Sequence, residues 1–241
     1  MEIRSRTVQL TASDGQMPAY ECQPVGKSPA PAVIVIMEAF GLNNHIKDVT
    51  ERVAREGYVA VAPDLYYRFG SPIVPYEDLP KAIGYLQQLQ DDKIVGDIGV
   101  TIAHLKKQSF VRAERIGIMG FCMGGKFTFL AAAKHANDLK AAVSFYGGGI
   151  AADSPTAPIN FAGEIKHPIL CLFGENDPLI PIEQAKKVDE TLGRLKKNYE
   201  VKIYKGATHG FFCNERPSYH PDSAKDAWEK TKIWFTRHLG P

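Results

Sequence analysis

Cysteine is scarce in this sequence. Cys22, Cys122, Cys171 and Cys213 are the only four, and no two of them form a C-x-x-C pair. An H-E-x-x-H string is also missing. These absences remove the usual spacings of a zinc site, so neither a metal nor an organic cofactor is expected. Charge of one sign is missing too. Lys plus Arg is 29 and Asp plus Glu is 27, a formal net charge of +2. That balance offers no electrostatic case for nucleic acid or an anionic membrane as a partner. The longest apolar runs, such as 32–37, fall far short of the roughly 18–20 residues of a membrane span. The opening MEIRSRT lacks an apolar signal core, which leads to the expectation of a cytoplasmic protein with reduced thiols. A cysteine that matters here is then a nucleophile and not a staple.

What is present is ordinary globular usage, 44% apolar and 23% charged, which excludes a disordered chain. No linker, repeat or low-complexity tract divides the 241 residues, so one domain over 1–241 is expected, as a monomer or small homo-oligomer. Short apolar runs alternate with amphipathic stretches. Strands are predicted at 7–12, 18–23, 31–37, 58–62, 115–121, 141–146, 168–173 and 200–204. Helices are predicted at 45–56, 94–107, 126–136, 181–195 and 223–238. The stretch 64–92, with Pro72, Pro75 and Pro80, reads as a loop and a helix over one end of the sheet. Strand–helix alternation predicts a mostly parallel sheet of about eight strands with helices on both faces. The first two strands have no helix between them and should form an antiparallel edge.

Gly120-Phe121-Cys122-Met123-Gly124-Gly125 follows a buried strand and opens a helix. This is a G-x-nucleophile-x-G elbow with cysteine as nucleophile. The turn is sharp, so positions two before and two after the nucleophile lie too close for side chains, and both are glycine. The Met123 amide and the positive helix end then favour a thiolate. The acid and the histidine should follow in that order. Asp177 lies just past one strand and His209 just past the next, where a site of an open α/β sheet sits. His209 would accept the thiol proton and Asp177 would fix its tautomer. Glu175 and Asn176 remain alternatives for the polar partner. Glu38 ends the strand at 31–37. It is either a loop or capping residue, or a carboxylate that keeps the neighbouring cysteine protonated. The Ala39 amide is the second candidate oxyanion donor beside Met123.

Four strings resemble the dienelactone hydrolase family, the cysteine branch of the α/β-hydrolase fold. They are MEAFGLNNHIKDVTERVAREGYVAVAPDLY, GIMGFCMGGK, FGENDPLIP and GATHGFF, and the resemblance runs over about residues 5 to 239. It implies Cys122 as nucleophile, Asp177 as acid and His209 as base. It also implies Glu38 as the glutamate that pairs with the cysteine until substrate displaces it. Two family arginines and a tyrosine that bind a substrate carboxylate have no clear match. YEDLPKAIGYLQQL offers Lys81 and Tyr85 instead, and GFFCNERP offers a later Arg216. Lysine lacks the bidentate fork of arginine.

Phe40, Phe211 and Phe212 are candidate walls of an apolar pocket. Cys171 and Cys22 read as core residues, His45 as a capping or packing residue, and Trp228 and Trp234 as the packing face of the last helix. Cys213, close to His209, either lines the site or packs near it. The resulting expectation is a hydrolase that opens a lactone or small ester, dienelactone-like, through a thioester. The alternatives are a general carboxylesterase or thioesterase of the same fold, and a silent hydrolase-fold binding module.

Overall fold

The computed structural model describes residues 1–240. Eight strands form one sheet: β1 (Ile3–Ala12), β2 (Gly15–Pro24), β3 (Ala30–Ile36), β4 (Val59–Pro63), β5 (Val111–Phe121), β6 (Ala141–Phe145), β7 (Ile169–Gly174) and β8 (Tyr199–Tyr204). Their order is β1-β2-β4-β3-β5-β6-β7-β8. The hairpin β1–β2 and the β2–β4 pair are antiparallel, and every later pair is parallel. The central strands β3, β4, β6 and β7 are buried at every position. That accounts for their unbroken apolar runs, since helices cover both faces of a parallel sheet.

The helices are α1 (Asn44–Arg55), α2 (Leu79–Leu86), α3 (Asp91–Lys106), α4 (Met123–Lys134), α5 (Ile182–Arg194) and α6 (Pro221–Leu239). Two glycines of β5 show the layering. A side chain on Gly117 would meet Phe235 and Leu239 of α6, whereas one on Gly120 would meet Thr128 of α4. Positions three apart in a strand point to opposite faces, so α4 and α6 lie on opposite sides of the sheet. On α6's side, α1 joins it through Arg52, whose guanidinium lies 4.4 Å from the Trp228 ring centroid. On α4's side, α3 packs against it.

The predicted elements correspond to the observed ones with shifted ends. Three shifts bear on function. The helix predicted over 126–136 starts at Met123, directly after Cys122. The helix begun at 94 starts at Asp91, so an aspartate occupies its first turn. A 3₁₀ segment, Pro158–Glu164, has no sequence period and was not anticipated. Short 3₁₀ turns leave too few residues for an apolar repeat to register.

Candidate active site

Five loops meet at the carboxyl ends of the parallel strands. They place Glu38 after β3, Cys122 after β5, Tyr146 after β6, Asp177 after β7 and His209 after β8. Cys122 sits at φ 57°, ψ −119°, a left-handed conformation that a non-glycine residue adopts only under constraint from its surroundings. The constraint is close packing. A Cβ on Gly124 would lie 2.5 Å from the Ile36 carbonyl oxygen and 2.6 Å from that of Met37. A Cβ on Gly120 would collide with the Gly124 carbonyl and lie 2.6 Å from Thr128 Oγ1. Both clashes at Gly124 are with backbone, which cannot rotate aside. Gly124→Ala is therefore expected to cost about 3 kcal/mol, the upper range for overpacking, read as a lowered urea midpoint.

Asp177 is buried and its two oxygens have separate tasks. Oδ1 accepts from the amides of Leu179 at 2.8 Å and Ile180 at 3.1 Å. Oδ2 lies 2.8 Å from Nδ1 of His209. Asp177 is thus both a turn former and the partner of the histidine. The alternatives fall away from the ring: Glu175 is exposed and accepts from the Gly206 amide at 3.0 Å, and Asn176 is exposed. The other nitrogen of His209, Nε2, has no hydrogen-bond partner among the described residues. Burial opposes a charge on His209, but the adjoining Cys122 sulfur and the Asp177 carboxylate outweigh it and raise the pKa from 6.5 to about 10. Among the described residues the amides of Met123 and Ala39 donate to no protein acceptor. Tyr66 steadies both segments: its hydroxyl donates to the Ala39 carbonyl at 3.0 Å and lies 3.8 Å from Met123 Sδ.

Glu38 departs from expectation. It is fully buried, and Arg216 Nη1 donates to its Oε1 at 3.3 Å. Its Oε2 has no partner among the described residues, and no hydrogen bond joins it to Cys122. Burial pushes the Glu38 carboxyl above its usual range, while the Arg216 guanidinium pulls the other way. Gly210, next to His209, leaves the space that Arg216 occupies. The guanidinium also lies 5.2 Å from the Phe40 ring centroid and 5.7 Å from that of Tyr76. Arg216 is therefore half-buried as the counter-ion of Glu38 and does not line the cavity beside Cys122. Ligand atoms of Glu38, His45 and Cys213 lie within 4.8 Å of one another. Arg216 already supplies the positive charge at this cluster, and the Cys213 thiol donates to the Tyr76 hydroxyl at 3.3 Å.

A cavity of about 430 Å³ opens beside Cys122 and His209. Its walls include Leu86, Leu89, Met123, Phe127 and Leu179, and Asp91 and Lys126 add charge beside His209. None of Lys81, Tyr85, Phe40, Phe211, Phe212 and Arg216, the residues expected to bind substrate or wall its pocket, lines it. Lys81 is exposed, held at the start of α2 by its amide donating to Asp78. Tyr85 packs on Tyr66 and Phe69. Phe40 packs on Tyr76 under Arg216, and Phe211 is fully buried against Tyr146 and Tyr204. Phe212 likewise stacks on Phe121, away from the cavity.

The residues that sequence reading missed are Lys126, Asp91 and Tyr146. Lys126 had a signal: it lies one helical turn past Cys122 and so on the same face. Asp91 had none, because its role depends on the angle between α3 and α4. Tyr146, at φ 36°, is buried with its ring centroid 5.2 Å from that of His209.

His45 packs between Phe121 and Phe212 with both ring nitrogens unpartnered among the described residues, while Asn43 caps α1. Burial, aided by the charges of Arg52 and Arg216, lowers its pKa from 6.5 to about 4. The unfolded chain therefore binds a proton that the folded protein refuses, and stability falls as pH drops from 6.5 toward 4. The loss attributable to His45 should reach roughly 2.5 kcal/mol by pH 4.5. Urea midpoints of wild type and His45→Leu at pH 7 and 4.5 check this: the variant should lose less on acidification.

An eight-stranded sheet of this order, with a strained cysteine turn after β5, an aspartate after β7 and a histidine after β8, is that of the α/β-hydrolase fold. The profile of the dienelactone hydrolase family matches residues 17–239. A protein from Synechocystis sp. named "Putative carboxymethylenebutenolidase" is 37% identical, with 99% of each chain covered. One of the same name from Escherichia coli is 38% identical over 96% of this chain and 86% of its own. The crystal structure titled a putative dienelactone hydrolase from Klebsiella pneumoniae superposes with a TM-score of 0.90 at 33% identity, covering 99% of this chain and all of the other. The chain belongs to the dienelactone hydrolase family and is a carboxylic ester hydrolase. No helix among the described residues is long and apolar enough to cross a membrane.

Proposed function

We propose that this protein hydrolyses lactones or small carboxylic esters through a thioester on Cys122. The observation that carries the reading is the Asp177–His209 bond of 2.8 Å placed beside a strained cysteine at the mouth of an α-helix. In the first half-reaction the Cys122 thiolate attacks the ester carbonyl. The developing oxyanion is taken by the Met123 and Ala39 amides, worth a factor of about 10² to 10³ per donor. The tetrahedral adduct collapses, the carbon–oxygen bond breaks, and the leaving alkoxide takes the proton from the His209 imidazolium. For a lactone that alkoxide stays tethered as the ring-opened acyl group. Neutral His209 then takes a proton from water, the hydroxide adds to the thioester, and the thiolate leaves again. Buried Glu38, paired with half-buried Arg216, lies at the neighbouring strand end.

The relatives named carboxymethylenebutenolidase support a dienelactone as the first substrate to try. One observation favours the second reading, a carboxylesterase acting on neutral esters. Lys126, the lysine of the cavity wall, is already held by Asp91 at 2.7 Å to each carboxylate oxygen. The test is hydrolysis of a dienelactone and of simple esters by wild type and Cys122→Ala side by side, with mass spectrometry for an acyl adduct. Near-equal rates in the two proteins overturn the mechanism.

A further inference from the structure

The cavity beside Cys122 does not end at the Asp91–Lys126 pair. Beyond it lies a second trough of about 760 Å³, which shares Leu89, Asp91, Lys126 and Thr156 with the first. The added walls are Val95 of α3, Leu130 of α4 and Phe161 of the 3₁₀ segment, with Lys134 at the far end. The two spaces thus adjoin at a single ion pair, Asp91–Lys126. That pair joins the first residue of α3 to the first turn of α4, where the carboxylate suits the positive helix end and offsets the lysine.

Every cation along these two spaces is paired, and the exposed Asp92 of the trough adds a negative charge with no ion-pair partner among the described residues. Lys126 is held by both oxygens of Asp91, Lys134 by Glu164 at 3.1 Å, and His209 by Asp177. A substrate carboxylate entering here would find no unpaired cation and would lose its hydration for nothing in return. An uncharged hydrocarbon tail has Leu89, Val95, Leu130 and Phe161 to rest on.

We propose that the trough beyond the Asp91–Lys126 bridge is a distal subsite that takes the uncharged aliphatic tail of an extended ester. The proposal rests on the hydrolase reading above and narrows it to a substrate class. Cys122 and Leu130 are eight residues apart along α4, about 12 Å at the helical rise, which a tail of about eight to ten carbons spans. The bridge acts as a filter: it passes a neutral tail and turns away one that ends in a carboxylate.

The experiment uses two ester series, one lengthened on the acyl side and one on the alcohol side, each from about four to ten carbons, together with ω-carboxylated counterparts of equal length. In one series kcat/KM should rise at least about tenfold with length, since each methylene leaves water for an apolar wall. Val95→Asp, on a half-buried surface of α3, should cut that long-to-short ratio about tenfold. The carboxylated esters should be at least about tenfold slower than their neutral partners, and Asp91→Asn should narrow that gap by unpairing Lys126. Flat length dependence in both series, or equal rates for carboxylated and neutral esters, overturns the subsite.

If no ester of any length turns over, the hydrolase reading fails and the subsite is judged by binding. Decanamide and butyramide are then titrated against Cys122→Ala by ligand-observed NMR. At least about tenfold tighter binding of decanamide, weakened by Val95→Asp, supports the subsite, and equal affinities overturn it.

Discussion

Cys122→Ala is expected to lower turnover by about 10⁴-fold or more while the fold persists. The reasoning is subtractive. The variant keeps the Met123 and Ala39 amides and the His209–Asp177 pair, so whatever rate survives is that of positioned water and oxyanion stabilisation. It loses the atom that forms the covalent intermediate. Alanine also fits the backbone as well as cysteine does, since the strain at φ 57° belongs to the turn and not to the sulfur. Thermal melts should therefore coincide within a few degrees. The acyl adduct, a mass increase on the peptide that carries Cys122, should appear with wild type only. A fast Cys122→Ala enzyme would mean that another group attacks the ester. A wild type that neither turns over nor acylates would fit a silent binding module.

Asp177→Asn is expected to reduce kcat/KM by about 10² to 10⁴. The asparagine oxygen can still accept from the Leu179 and Ile180 amides, so the loop keeps its turn. Its NH₂ then faces His209 Nδ1, where a carboxylate oxygen stood at 2.8 Å. An NH₂ donates, so the ring must accept at Nδ1 and carry its proton on Nε2, the nitrogen that has to receive the thiol proton. The carboxylate charge that helps hold His209 at a pKa of about 10 is lost as well. NMR titration of His209 should show the lowered value directly. A wild-type pKa with a large loss of rate would place the role of Asp177 elsewhere.

How far the sequence could be read depended on how local each feature is. Strands β3, β4, β6 and β7 were legible because a two-sided buried strand is a continuous apolar run whatever its neighbours are. Gly120 and Gly124 were legible because the elbow's crowding is set by residues two positions either side of the nucleophile. Asp177 and His209 were legible as positions at strand ends, and the tertiary structure then chose Asp177 over its neighbours Glu175 and Asn176 by burying it against the ring.

The substrate-binding candidates read differently. Lys81 and Tyr85 were selected from the right segment, yet Leu86 and Leu89 of that segment line the cavity. A helix of eight residues turns its face by roughly 100° per position, so a choice made by residue type and not by face misses.

The sequence alone determined the strand–helix alternation, the glycine-flanked turn at Cys122 and the strand-end positions of Cys122, Asp177 and His209. Each follows from periodicity or from contacts within a few residues. Only the tertiary structure decided what Glu38 meets and what lines the cavity. Arg216 reaches Glu38 from 178 residues away, and Asp91 meets Lys126 across 35 residues through the packing of α3 on α4. Such pairings depend on where whole helices and loops come to rest against the sheet, a property of the packed chain that no short window of sequence contains.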